Sequence, residues 1–455
     1  MHNKLSRRDA IKLLGIGAGT VFLPSKSEAK SKLSMPASHK RVNIVIVGGG
    51  TGGMIASARV RRAAPNANIT LIAPNSMHIY QPGQVFVAAG LYMQTDIRAK
   101  TSQLLEDNIK WIQDEVTVFE PDKNFVQTAK HGKIGYDYLI VALGIEYNYE
   151  AIDGLSSDDI EQNGIASIYL NDMKKGVSKA GITTNIWIHS IQEDALQKSV
   201  KVLYTQPNTP IKGVGADLDI LFLSNDYFKG NGGSKSGDVS NNIQNIFATP
   251  NSSLFPFKEF DNVIQKRVKK ARNIVPLFGH KLIAIDTQKK SAIFKDRTGK
   301  EVQKSYDYIH ITPPMQAPKV FSDSPLAYKD GKYKGYMDIN PKTLQHNRYK
   351  NVFGIGDILG IPLAKTGGSA QVQAVVIQDN LVAAIENKKF PQEYNGYTVS
   401  PVKLKYGQVL LAEFNSKKTL PTFWLNPYKP RWIWWELDLH FMRYAYFTLM
   451  MRGMM

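Results

Sequence analysis

The chain has 455 residues, 43% of them hydrophobic and 21% charged, which is enough to bury a large core in two or three domains and excludes a disordered or polytopic membrane protein. Lys and Arg outnumber Asp and Glu 57 to 39, a formal charge of +18 that suits anionic lipid or an acidic protein; with no zinc-finger spacing or RNA-binding signature, no nucleic acid is expected. Cysteine is absent, which excludes disulfides, Cys-ligated iron–sulfur clusters, c-type haem attachment and thiol catalysis.

Residues 1–29 read as a twin-arginine signal peptide. Ser6-Arg7-Arg8-Asp9-Ala10-Ile11-Lys12 is the charged start, Leu13 to Leu23 a mildly apolar, glycine-rich stretch, and Ser27-Glu28-Ala29 a small-residue cleavage site. Such signals export folded proteins, so a periplasmic location is expected and a cofactor can be taken up beforehand.

Asn43-Ile44-Val45-Ile46-Val47 is a β-branched run suited to a buried parallel strand. It leads into Gly48-Gly49-Gly50-Thr51-Gly52-Gly53 and then a helical stretch from Met54. In this GxGxxG pattern Gly48 serves the tight turn, Gly50 the approach of a pyrophosphate, and Gly53 close helix–strand packing, with Thr51 at the helix start. The second strand, Asn68 to Ile72, ends at Ala73, where an acid usually holds the ribose hydroxyls. Either Asn75 or water replaces that acid, or adenosine binding is weaker.

Tyr138 to Gly144 repeats the strand-then-glycine pattern, and Asn351 to Asp357 does so again with an acid after Gly356. An Asp in that position commonly reaches the ribityl chain of FAD. The two segments predict an FAD domain split into 40–150 and 335–390, around a second α/β domain at 151–334. Within that insert no second strand–GxGxxG–helix occurs, so no NAD(P)H site is expected. The cluster Gly230 to Gly237 reads as a polar loop.

Four of the six Trp (Trp424, Trp432, Trp434, Trp435) lie near the end of the chain, within 391–455. Glu436, Asp438, His440, Arg443 and Arg452 keep this segment from crossing a bilayer. Trp435, Leu439, Met442 and Tyr446 fall three to four apart, predicting an amphipathic helix on the membrane surface. The nine His residues show no metal-ligand spacing, so no metal is expected, and His78 and His346 read as structural.

From about residue 40 onward the chain resembles the sulfide:quinone oxidoreductase family, in its mitochondrial-type branch. The resemblance rests on His78-Ile79-Tyr80-Gln81-Pro82 with Ala89-Gly90, Tyr138 to Gly144, and Pro207-Asn208-Thr209-Pro210-Ile211-Lys212. It continues through Ile311-Thr312-Pro313-Pro314-Met315, Thr343-Leu344-Gln345-His346, Asn351 to Asp357 and Lys365-Thr366. It implies an α/β fold of tandem Rossmann-like domains, non-covalent FAD, a membrane quinone as acceptor and attachment to one membrane face. It further implies FAD contacts at Gln81 and at the backbone of Val116, beside Gly144, Gly356 and Asp357, and a cation at Lys365 by the flavin or quinone edge. The family's two redox cysteines fall at Gly213 and Ile358, neither of which can be a nucleophile, so its sulfide chemistry cannot run here. The expectation is an FAD-dependent oxidoreductase with another donor. The alternatives are a flavoprotein subunit serving a c-type cytochrome, and a non-catalytic flavin-binding or scaffold relative.

Overall fold

The computed structural model describes residues 35–172, 177–362, 365–421 and 425–455. The expected signal peptide and Trp424 lie outside the described residues.

Ile44 to Val47 are at most 2% exposed, as a run apolar on both faces requires. Their strand, Asn43–Val47, lies at the centre of a five-stranded parallel sheet. Asn68–Ile72 and Ile109–Ile112 follow on one side, and Tyr138–Val141 and Val352–Gly354 on the other. The last strand arrives from more than 200 residues away, yet Phe353 pairs with Ile140 in register. Helices Thr51–Ala63 and Gly367–Ile385 pack on each other, joined by Arg59 to Gln378 (3.2 Å). A three-stranded antiparallel meander, Val116–Glu120, Phe125–Thr128 and Gly132–Gly135, completes this unit.

The same plan recurs. A second five-stranded parallel sheet runs Ile165–Ala166, Tyr308–His310, Val200–Thr205, Ile243–Thr249, Ile274–Phe278, again with a three-stranded meander (Lys281–Asp286, Ser291–Lys295, Glu301–Ser305). The fold is thus α/β with two Rossmann-like sheets. Residues 230–237 form a loop.

The hairpin Thr398–Lys405/Gln408–Phe414 leads to the C-terminal helical segment, Trp432 to Met450, which alternates α and π turns. Here the structure departs from the expected membrane-surface stripe. Trp435 and Tyr446 are only 5% and 3% exposed, facing the protein's own core. Trp435 meets Phe86 edge-on at 5.8 Å and Tyr406 at 5.9 Å, while Leu439 and Met442 are half-buried. The reason is a covering surface from helix Gly83–Ala88 and the hairpin, together with a buried ion cluster. Lys403 Nζ lies 3.2 Å from Asp219 and 3.0 Å from Asp438 of this segment. Among the described residues of this C-terminal part, the large apolar side chains left exposed are Trp432, Tyr444 and Met454. Among the described residues no helix is long and apolar enough to cross a membrane.

Candidate functional site

The site begins where the central strand stops. Gly48 donates its N–H to Ile72 O (2.9 Å) at φ +110°, a conformation suited to glycine; a Cβ there would sit 2.3 Å from Ala142 O. A Cβ on Gly53 would meet Gly48 O at 1.8 Å, so the helix can approach the turn only with glycine at this position. Gly50 differs, because the space where its side chain would stand is open to 4 Å. No side chain caps the helix there, so its first-turn amides are left to a ligand. Gly144 and Gly356 also face open space, just beyond the carboxyl ends of Tyr138–Val141 and Val352–Gly354. In open parallel sheets ligands bind in the crevice at those strand ends.

A hydrogen-bond chain closes one side of the turn. His78 Nδ1 lies 3.1 Å from Gly49 O, an acceptor only, so this nitrogen carries the proton. Nε2 therefore accepts from the Tyr446 hydroxyl (2.6 Å), which in turn accepts from Thr51 Oγ1 (2.7 Å). Burial lowers the His78 pKa to about 4, and Lys212 adds to the effect, so the ring is neutral. Its role is structural, as is that of His346, whose Nε2 meets Leu326 O (3.1 Å) and whose Nδ1 accepts from the amides of Arg348 and Tyr349.

A second group converges around Lys365, which is 3% exposed. Its ammonium donates to the carbonyls of Asp357 and Leu359 and lies 4.4 Å from the Tyr336 ring centre. Burial lowers its pKa to about 8, with Asp357 pulling the other way. The Lys365 carbonyl accepts the N–H of Gly213 (2.8 Å), and Ile358, adjacent to Asp357, is fully buried. Gly213, Ile358, Asp357 and Lys365 are thus one cluster. Gly213 has φ +74°, so a cysteine there would carry about 1 kcal/mol or more of backbone strain. Lys212, not singled out from the sequence, faces the Asp357 carboxylate at 4.0 Å. The adjoining Gly356 N–H is held by Gln373 Oε1 (2.8 Å).

Of the other expected contacts, Gln81 occupies the turn before helix Gly83–Ala88, its carbonyl accepting from Gln84 N–H (3.1 Å). Val116 opens the first meander, paired with Thr128. Tyr446 had no signal pointing to the nucleotide turn, 395 residues earlier.

In the second sheet the strand Val200–Thr205 also runs to a helix, Ala216–Phe228, but that helix begins with acids. Asp217 takes the Leu218 N–H (3.0 Å) and Gln206 Nε2 (2.7 Å), and burial raises its pKa to about 7. Asp219 follows two positions further on, held by Lys403.

Residues 42–180 match the family model described as pyridine nucleotide-disulphide oxidoreductase. The mitochondrial sulfide:quinone oxidoreductase of Mus musculus is 31% identical over 90% of this chain and 86% of its own length. That of Dictyostelium discoideum is 30% identical over 86% and 82%. Among solved structures, the Aquifex aeolicus sulfide:quinone oxidoreductase superposes with a TM-score of 0.69 at 20% identity, covering 89% of each chain. A chain of the Tetrahymena thermophila mitochondrial ATP synthase superposes at 0.73 with 16% identity, covering 93% of this chain and 98% of that one. The protein is an FAD-dependent oxidoreductase. Its residues fit FAD: Gly50 and the uncapped helix amides suit the pyrophosphate, and Asp357 the ribityl chain. When bound, FAD would supply a carrier of two electrons, and these residues would hold it in place. Matched at this identity over most of both chains, the sequence belongs to the sulfide:quinone oxidoreductase family.

Proposed function

We propose that this protein is a periplasmic, membrane-peripheral reductase that delivers electrons to membrane quinone from a donor that needs no cysteine. The observation that carries the reading is the Lys365 cluster. A buried cation is kept beside Asp357, while both positions of the family's sulfide chemistry hold residues without a nucleophile. Quinone as acceptor is supported by the relatives, whose names include sulfide:quinone and type II NADH:quinone oxidoreductases. Export rests on Arg7-Arg8 and the segment that follows.

NADH is disfavoured as donor on electrostatic grounds. The helix that would receive its pyrophosphate in the second sheet carries Asp217 and Asp219 in its first turn, and Asp217 already holds an amide there. Membrane contact is assigned to Trp432, Tyr444 and Met93. Met93 adjoins Tyr92, whose hydroxyl donates to Leu439 O and whose ring lies 4.8 Å from the Arg443 guanidinium.

The test is to photoreduce the purified FAD protein without oxygen and add a short-chain quinone analogue. Reoxidation on mixing supports quinone reduction, and its absence sinks it. Reoxidation by a c-type cytochrome alone would instead favour the electron-transfer-subunit alternative.

A further inference from the structure

Helix Thr51–Ala63 turns one face toward the last residues of the chain. Thr51, Arg59 and Arg62 are spaced by eight and then three residues, which on an α-helix places them within about 80° of one another. Residues 446–455 run along that face from its first turn to its last. The Tyr446 hydroxyl meets Thr51 Oγ1 (2.7 Å), Gly453 O accepts from Arg62 Nη1 (3.5 Å), and Met455 O accepts from Arg59. A Cβ on Gly453, which has φ +60°, would stand 2.7 Å from Arg59 Cγ, so glycine lets the run lie this close. Tyr446, Met450, Met451 and Met455 are at most 6% exposed, whereas Met454 faces outward. The run is also one hydrogen-bonded unit. Met451 N–H reaches Tyr446 O (2.9 Å), Gly453 N–H reaches Met450 O (2.8 Å) and Met454 N–H reaches Leu449 O (2.9 Å), so a push on Gly453 is carried back to Tyr446.

The Tyr446 end of this run acts on the glycine turn. By donating to His78 Nε2 it keeps the ring proton on Nδ1, which donates to Gly49 O (3.1 Å). The peptide between Gly49 and Gly50 is planar, with its C=O and N–H opposed, so holding Gly49 O on His78 turns the Gly50 N–H away from His78 and fixes its direction. Amide directions at this turn are what an arriving pyrophosphate meets. We infer that Tyr446 is a positioning residue for the cofactor, acting through His78 and Thr51, and that residues 446–455 form a strap whose seating on helix Thr51–Ala63 and the binding of FAD favour each other. A seated strap removes part of the ordering cost of binding, and by linkage FAD tightens the strap by the same factor. The coupling rests on the FAD assignment and is independent of which acceptor takes the electrons.

Hydrogen–deuterium exchange of the parent with and without FAD reads the coupling from one side and needs no variant. Amides of residues 446–455 should exchange about fivefold more slowly or better with FAD bound, while the second sheet's meander, residues 281–305, is unchanged. Fluorescence titration reads it from the other side. Gly453→Ala pushes on Arg59, about two helical turns from Thr51, and should weaken FAD about fivefold. Met454→Ser, on the outward side of the same strap, should bind FAD as the parent does. Equal slowing of strap and meander, or an FAD affinity unaltered in Gly453→Ala, would overturn the coupling while leaving the FAD assignment intact. A parent protein that binds no FAD would overturn both.

Discussion

Replacing Lys403 by methionine keeps an unbranched side chain one atom shorter and removes its charge from a sealed site. Lys403 is 3% exposed, and its ammonium reaches Asp219 (3.2 Å), Asp438 (3.0 Å) and Pro401 O (3.1 Å) beneath the Phe86 ring. Without it two carboxylates face each other with no cation between them. Breaking a buried pair in this way costs about 3–5 kcal/mol. The loss depends on pH. Burial raises the Asp219 pKa from 3.8 to about 6, although Lys403 pulls it down. A carboxyl with a raised folded pKa contributes stability that is fully present below its unfolded pKa and lost as pH rises through the folded one. Removing Lys403 moves that upper limit higher. The variant should therefore lose the full about 3–5 kcal/mol near pH 8, and nearer about 1 kcal/mol at about pH 4, where Asp219 carries a proton. Urea unfolding followed by Trp fluorescence measures this, since Trp434 and Trp435 lie in the segment that Asp438 anchors. An equal loss at both pH values, or none, would refute the reasoning that this cluster holds the C-terminal segment to the body.

Two glycine substitutions should separate cofactor contact from folding. Gly50→Ala places a Cβ in open space, so it should leave apoprotein stability unchanged and weaken FAD binding, whereas Gly53→Ala collides with Gly48 O at 1.8 Å and should lower the thermal midpoint of the apoprotein; the two are read by thermal shift and flavin titration. On the proposed quinone-reductase reading, quinone reduction in the Lys365→Met variant should fall about tenfold or more, from loss of the buried charge beside Asp357. The parent rate should decline as pH rises through about 8, where Lys365 sheds its proton, and the variant should lack that step. Tyr446→Phe leaves His78 Nε2 without its donor in a buried place and should cost about 1–3 kcal/mol in unfolding experiments; an unchanged midpoint would remove Tyr446 from the hydrogen-bond chain.

The first sheet was legible because its chemistry is local. A β-branched run, a glycine turn and a helix in succession name a dinucleotide-binding unit, and Gly354-Ile355-Gly356-Asp357 marks the distant strand that completes it. The absence of cysteine was readable without any fold. The C-terminal segment was not, because an apolar stripe on a helix does not say what covers it. Trp435 and Tyr446 have the spacing of a membrane-facing face and lie against Phe86 and His78 instead. Contacts such as Tyr446 to Thr51 and Lys212 to Asp357 join residues far apart in the chain, with no periodicity linking them. Lys365 was found by its place in a motif; its burial and its bond to Gly213 came only with the fold.

The most direct measurement is the visible spectrum of the purified protein, recorded before and after adding sulfide. Flavin bands near stoichiometry that sulfide leaves unbleached are expected of an FAD oxidoreductase of this family without its cysteines. A folded but colourless protein, or rapid bleaching by sulfide, would contradict it.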